Sequence, residues 1–247
     1  MEKVDMQGKG NRSIELCKGE IFGAKTIYHV LKAGSEEMLP AEKGFYRIYL
    51  LVQGKAVFVT EHREYDHADR AVFVPAVDQA LKVKAETEIW LLEIQWEILE
   101  EDERMLEEYQ TIFPINVRYQ DAVQYKEAVK SEKTINRMML PPRVIPRLSI
   151  GSVETIGYDV VKAHSHPALD QLFFSFPECE MDVWINGISV PMEGNVLLHI
   201  PLGSEHGVEV QEGKHMHYVW IDFMPDNESA LACMDSSHQM MNDVQNS

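Results

Sequence analysis

Two stretches of the chain alternate short apolar segments with turn residues, a rhythm that predicts dense β-structure. The first runs from about Glu20 to Trp96 and contains FYRIYLLVQGKAVFV (45–59), DRAVFVPA (69–76) and EIWLLEIQWEI (88–98). These segments are rich in Val, Ile, Tyr and Phe and bounded by Gly, Pro or Asp, which suits pleated, half-buried strands. The second, from about Arg147 to Met224, repeats the pattern in RLSIGSVETIGYDVVKAHSH, DQLFFSF, EMDVWING, NVLLHIPLG and HMHYVWIDF. Turns about every ten residues point to a sandwich or barrel, not to alternating strands and helices. Gln53-Gly54 and Asn186-Gly187 mark a hairpin in each stretch, and a proline follows in each, Pro75 and Pro201.

The character changes between the stretches. In EEDERMLEEYQTIF (100–113), Met105, Leu106, Tyr109 and Phe113 have helical spacing, and the acids gather at the start, where the helix dipole favours them. QDAVQYKEAVKSEKTINRMM (120–139) reads as a second helix, stopped by Leu-Pro-Pro-Arg (140–143). This gives a β domain over 1–99, a helical linker over 100–142, a second β domain over 143–225 and a polar tail over 226–247.

A chain of 247 residues accommodates two domains with sizeable cores. The formal charge of −17 argues against nucleic acid and anionic membranes, whose phosphates need a basic surface. The three cysteines, Cys17, Cys179 and Cys233, form no CxxC pair, so a reducing, cytoplasmic setting is expected over a disulfide framework. The N-terminal residues carry no apolar signal-like core, and no apolar run approaches the roughly 20 residues of a membrane helix.

The chemistry concentrates in one region of the second stretch. His164 and His166 are separated by one residue, which places both rings on one face of a strand. Pro167 follows and can end that strand, Asp170 lies four residues past His166, and Pro201-Leu202-Gly203-Ser204-Glu205-His206 returns a third imidazole. Three imidazoles and a carboxylate suit one divalent transition metal, Mn, Fe, Ni, Co or Zn, and are too rich in nitrogen for Ca or Mg.

Here the chain resembles the cupin superfamily. Its first motif (glycine, HxH, an acid, a closing glycine) is matched by Gly157-YDVVKA-His164-Ser-His166-PAL-Asp170, and its second (glycine, PxG, His) by Gly194-NVLLHI-Pro201-Leu-Gly203-SE-His206. The resemblance implies a mainly β protein of two cupin-type, jelly-roll barrels joined by a partly helical linker. It makes His164, His166, Asp170 and His206 the metal ligands. Two departures stand out: Asp170 occupies a position usually held by Glu, and Pro177 stands where the closing glycine would be. Fitted to the same motifs, the first stretch has Ala41 and Lys43 at the histidine positions, Arg47 at the acid, Val77 at the glycine and Ala80 at the last histidine. That half resembles a degenerate cupin without a metal. His62 and His67 read as part of a solvated hairpin.

Strand parity extends the reading. With His164 and His166 inward, Lys162 is inward too, and past Asp170 the inward positions are Leu172 and Phe174. Lys162 and Glu205 are the expected proton-transfer residues. Trp184, Tyr218 and Trp220 are candidates to line the cavity. His199, His215 and His217 are candidates to support the ligands. The expected activity is a metal-dependent isomerisation of a small sugar or sugar acid, with a dioxygenase and a non-catalytic binding protein as the alternatives. The expected partners are a small-molecule substrate and a second copy of the chain.

Overall fold

The computed structural model describes residues 1–230 apart from Gln7 and Pro167. The chain divides into two compact units, one from Glu2 to Ala122 and the other from Val123 onward. The division falls inside the segment read from the sequence as a linker.

The first unit contains β1 (Glu2–Lys3), β2 (Arg12–Leu16), β3 (Ala24–Leu31), β4 (Glu36–Leu39), β5 (Phe45–Gln53), β6 (Ala56–Val59), β7 (Glu64–His67), β8 (Ala71–Val74), β9 (Leu81–Ala85), β10 (Ile89–Glu97), α1 (Asp102–Tyr109) and β11 (Ile115–Arg118). Two antiparallel sheets form, in the orders β11–β8–β5–β10–β3–β2 and β4–β9–β6–β7. Alternate residues of both sheets meet in one core, with Leu31, Tyr49, Leu51 and Phe73 from the first and Leu39, Phe58, Leu81 and Val83 from the second. His67, expected in a solvated hairpin, is buried among Phe58 and Phe73, and neither ring nitrogen has a hydrogen-bond partner.

The second unit contains β12 (Val123–Tyr125), β13 (Ile135–Ile145), β14 (Leu148–Ile156), β15 (Asp159–His164), β16 (Asp170–Ser175), β17 (Glu180–Ile185), β18 (Ile188–Glu193), β19 (Val196–Ile200), β20 (His206–Val210) and β21 (His215–Phe223). One antiparallel sheet includes the order β12–β13–β14–β21–β16–β19, and the other is β15–β20–β17–β18. The order β8–β5–β10–β3 of the first unit recurs here as β19–β16–β21–β14, and β4–β9–β6–β7 recurs as β15–β20–β17–β18. The duplication suggested by the sequence rhythm is thus a repeat of connectivity. The Asn186-Gly187 hairpin joins β17 to β18 with both residues at positive φ, as a tight primed turn requires.

The sequence expectation of a helix over 120–139 is overturned. Only α1 forms in the 100–142 segment, with a single turn of 3-10 helix at 119–121, and residues 135–145 pair with β14 as strand β13. Pairing along β14 outweighs the local helical spacing. Pro141 and Pro142, which lack N–H donors, sit where the register breaks between Leu140 and Ile145. Of the expected polar tail, Ala230 is buried against Leu169 and Met224; Cys233 and the rest of the tail lie outside the described residues. No helix among the described residues is long and apolar enough to cross a membrane.

Candidate metal centre

The second unit brings the three predicted histidines together. His164 ends β15, His206 begins β20, and the two are paired across the strands. His166 stands two residues beyond His164, in the loop leading to β16. The ring centroids are separated by 5.0 Å (His164–His166), 4.5 Å (His164–His206) and 5.4 Å (His166–His206). One ring nitrogen from each lies within 4.8 Å of the others.

Two of the rings are held by the backbone. His164 Nδ1 lies 2.8 Å from the carbonyl of Lys162, and His206 Nδ1 lies 3.1 Å from that of Ser204. A carbonyl accepts only, so Nδ1 carries the proton and Nε2 keeps a free lone pair. This second interaction fixes the tautomer and ring orientation that a ligating imidazole needs. Burial pushes the pKa of His166 down to about 4, helped by the neighbouring rings of His164 and His206. Burial likewise lowers His206 to about 4, against the hydrogen bond to Ser204. Both imidazoles are therefore neutral near pH 7, the form that binds a metal.

Asp170 is not part of this group. Its Oδ1 lies 3.0 Å from His199 Nε2 and accepts a 2.9 Å hydrogen bond from the Leu202 N–H. The residue after it, Gln171, is buried and helps line the same depression as His166 and His206. The Gln171 amide donates a 2.6 Å hydrogen bond to Asp222, while its Oε1 is buried with no hydrogen-bond partner. Parity explains the difference. Phe173 packs on His206 at 5.7 Å and on Tyr218 at 4.6 Å and belongs to the core between the sheets, so Gln171 and Phe173 face inward. The expectation that Leu172 and Phe174 face inward is corrected: both lie on the opposite face, because strand parity counted from His166 does not carry across the loop before β16.

A charged cluster that the sequence reading missed lies behind the histidines. Lys130 is 5% exposed and pairs with Glu127 at 2.8 Å, and the charges of both residues reach His166. Burial lowers the Lys130 pKa against the opposing pull of Glu127. Asp222, partly buried, has its pKa pushed up to about 7 by desolvation, against the hydrogen bond from Gln171. Lys130 and Glu127 fall in the segment read as a helix, so nothing in the local pattern aimed them at the site. Of the expected proton-transfer residues, Lys162 and Glu205 are both exposed. Tyr218 and Trp220 pack in or against the core of this unit, whereas Trp184 is 41% exposed on the outer face. Pro167, expected to end the strand, lies outside the described residues.

Comparison with protein-family models finds no match, and comparison with curated proteins finds none either. Solved structures do match. A cupin 2 conserved barrel domain protein from Leptotrichia buccalis is 14% identical, with 91% of this chain and 98% of that chain covered at a TM-score of 0.61. An IolB-like protein from Salmonella typhimurium is 15% identical, covering 90% and 92% at 0.67. An oxalate decarboxylase in complex with formate, from Lactobacillus farciminis, is 11% identical, covering 92% and 85% at 0.67. At these identities the likeness establishes the fold, and the chain has the cupin fold.

Proposed function

We propose that the second unit binds one divalent transition metal on His164, His166, His206 and Gln171 and acts on a small, oxygen-rich molecule. The observation that carries this reading is the donor set itself: three converging imidazoles, two with Nδ1 tied to carbonyls, beside a buried carboxamide oxygen that lacks a partner. A buried acceptor left unsatisfied costs about 1–3 kcal/mol, and a cation at the cluster would satisfy it. Gln171 takes the place first given to Asp170, whose Oδ1 is held by His199 and Leu202.

When bound, such an ion supplies Lewis-acid polarisation of a substrate carbonyl or hydroxyl. The chain's own residues provide the rest. Phe173 packs on His206 and, with Tyr218, backs it with apolar side chains of the core. Lys130, its side chain buried and paired with Glu127, is the candidate in the interior to move a proton, with burial holding its pKa below the ordinary lysine value. Lys162 and Glu205, both exposed, are the weaker candidates for that role. Isomerisation of a sugar or sugar acid remains the preferred reaction, in keeping with a proton-transfer group beside a neutral, nitrogen-rich cluster. Similarity to an oxalate decarboxylase is compatible with a small carboxylic acid as the substrate.

The test is metal analysis of the full chain with the single variants His164→Ala and His206→Ala, followed by ligand screening by thermal shift over keto sugars, uronates and small dicarboxylates. Loss of bound metal in both variants is expected, with Mn, Co, Ni or Zn in the wild type and no oxygen uptake. Unchanged metal content in both variants would sink the site, and iron or copper with oxygen consumption would replace the isomerase with a dioxygenase.

A further inference from the structure

A second cluster of metal-ligating side chains lies on the large sheet, on the face turned away from the core. Glu154 on β14 is directly opposite His217 on β21, and His215 is opposite Ile156, so all three share a face. Their neighbours Val153, Met216 and Tyr218 point into the core with the first site. The three side chains therefore project away from His164, His166 and His206.

The geometry is that of a ligand set. One ligand atom from each of Glu154, His215 and His217 lies within 4.8 Å of the other two. His215 Nε2 stands 3.4 Å from Glu154 Oε1, and His217 Nδ1 stands 3.9 Å from the same oxygen. Ligands about 2.0–2.1 Å from a tetrahedral ion are about 3.3 Å apart, so small side-chain movements close the set. The supporting contacts are also in place. Arg137 holds the other carboxylate oxygen of Glu154 at 3.1 Å, which turns Oε1 toward the imidazoles. Glu178 Oε1 lies 2.6 Å from that same His217 Nδ1, so an ion on this nitrogen takes the place of the proton the two share and meets Glu178 as a further carboxylate ligand. The two rings stack with centroids 5.3 Å apart. His215 Nε2 is buried and makes no hydrogen bond.

Burial grades across the cluster. The side chain of His217 is 1% exposed, whereas those of His215 and Glu154 are 23% and 22% exposed. An ion would thus sit at the base of a shallow recess, with open positions toward solvent. Two imidazoles and a carboxylate with a second carboxylate nearby favour a first-row transition ion over Ca or Mg. We infer that Glu154, His215 and His217, with Glu178 beside them, form a second, separate binding site for a divalent transition metal on the outer face of the large sheet, with Arg137 positioning Glu154.

The test uses the full chain, stripped with a chelator and titrated calorimetrically with Zn²⁺ and with Mn²⁺. The wild type is expected to take up two equivalents, and the double variant His164→Ala/His206→Ala to retain one. Adding Glu154→Gln and His215→Gln to that variant is expected to remove the remaining equivalent, or to weaken it at least about tenfold. His215→Gln alone, at a partly exposed ring, covers the case in which the multiple variant fails to fold, judged by metal-free melting. The proposal is overturned if His164→Ala/His206→Ala binds no ion, or if Glu154→Gln and His215→Gln leave its one equivalent in place. A wild-type stoichiometry of one that His164→Ala/His206→Ala does not change would remove the interior site and support this one.

Discussion

Substituting Gln171 and Asp170 in parallel discriminates between two ways of completing the interior site. Gln171→Leu removes the buried oxygen that has no partner and keeps most of the side-chain volume. An unsatisfied buried acceptor costs about 1–3 kcal/mol, and binding an ion relieves that cost, so the ion's affinity contains a term of this size. Loss of the oxygen should raise the dissociation constant roughly five- to 150-fold, taking about 1.4 kcal/mol per tenfold. Asp170→Asn keeps an oxygen to accept from the Leu202 N–H and loses only the charge facing His199. That pair is partly exposed and worth about 1 kcal/mol or less of stability, and the dissociation constant should stay within about twofold. The assay is Mn²⁺ or Co²⁺ calorimetry on the chelator-stripped chain carrying His215→Gln, so that only the interior site is read. Melting of the metal-free variants separates affinity from folding, since Gln171→Leu also strips Asp222 of its hydrogen-bond donor. The reasoning is refuted if Asp170→Asn weakens binding about tenfold while Gln171→Leu leaves it unchanged.

Two further outcomes follow from buried groups and close packing. Asp222→Asn should change how stability varies with pH: the folded-state pKa of about 7 lies above the ordinary Asp value, so its contribution is complete at low pH and is lost as pH rises toward and through 7. His67, His166 and His206, lowered to about 4, act oppositely, losing stability as pH falls from about 6.5 to 4, so the metal-free variant should show a steeper rise in Tm between pH 5 and pH 8 than the wild type. A Cβ on Gly151 would stand 2.2 Å from Cζ2 of Trp220, so Gly151→Val should force that ring off its seat at a cost of about 1–3 kcal/mol, and a melting temperature and tryptophan emission identical to wild type would show that the contact does not exist.

The β rhythm was legible because a strand that buries one face must alternate, and both stretches do so for long enough to set connectivity. The three histidines were legible for the same reason, since HxH on a strand puts two rings together wherever the strand goes. The helix over 120–139 was misread because its spacing is local, while the pairing of 135–145 with β14 is set by residues far along the chain. The proposal of Gln171 in place of Asp170 turns on a related point. The length of the loop between His166 and β16 fixes which of Asp170 and Gln171 faces inward, and parity counted from His166 does not survive a loop. Nothing local could reveal Lys130 and Glu127, because only the folded chain carries them to His166. The Glu154, His215 and His217 cluster needed the β14–β21 register, although His215 and His217 were visible as a pair sharing one strand face.

The two units show how one connectivity carries different interiors. In the first, Arg47 precedes the inward Tyr49 by two residues on β5, as Gln171 precedes Phe173 on β16, so Arg47 occupies the equivalent inward position. Its guanidinium is buried and donates to the carbonyls of Leu39, Pro40 and Gln79 and to the hydroxyl of Tyr49. Behind it, Glu93 is held by His29 at 2.8 Å and by Gln95 at 3.0 Å. Burial works against its charge, yet these bonds keep its pKa below the ordinary carboxylate value. A fixed internal cation therefore sits where the second unit presents neutral donors. An arginine cannot give up its proton, and its guanidinium here already satisfies the carbonyls that surround it. The same physical requirement, that buried carbonyls and carboxylates be satisfied, is met in one unit by a side chain. In the other it leaves Gln171 Oε1 without a partner, and this asymmetry is the strongest reason to look for the ion in the second unit and not the first.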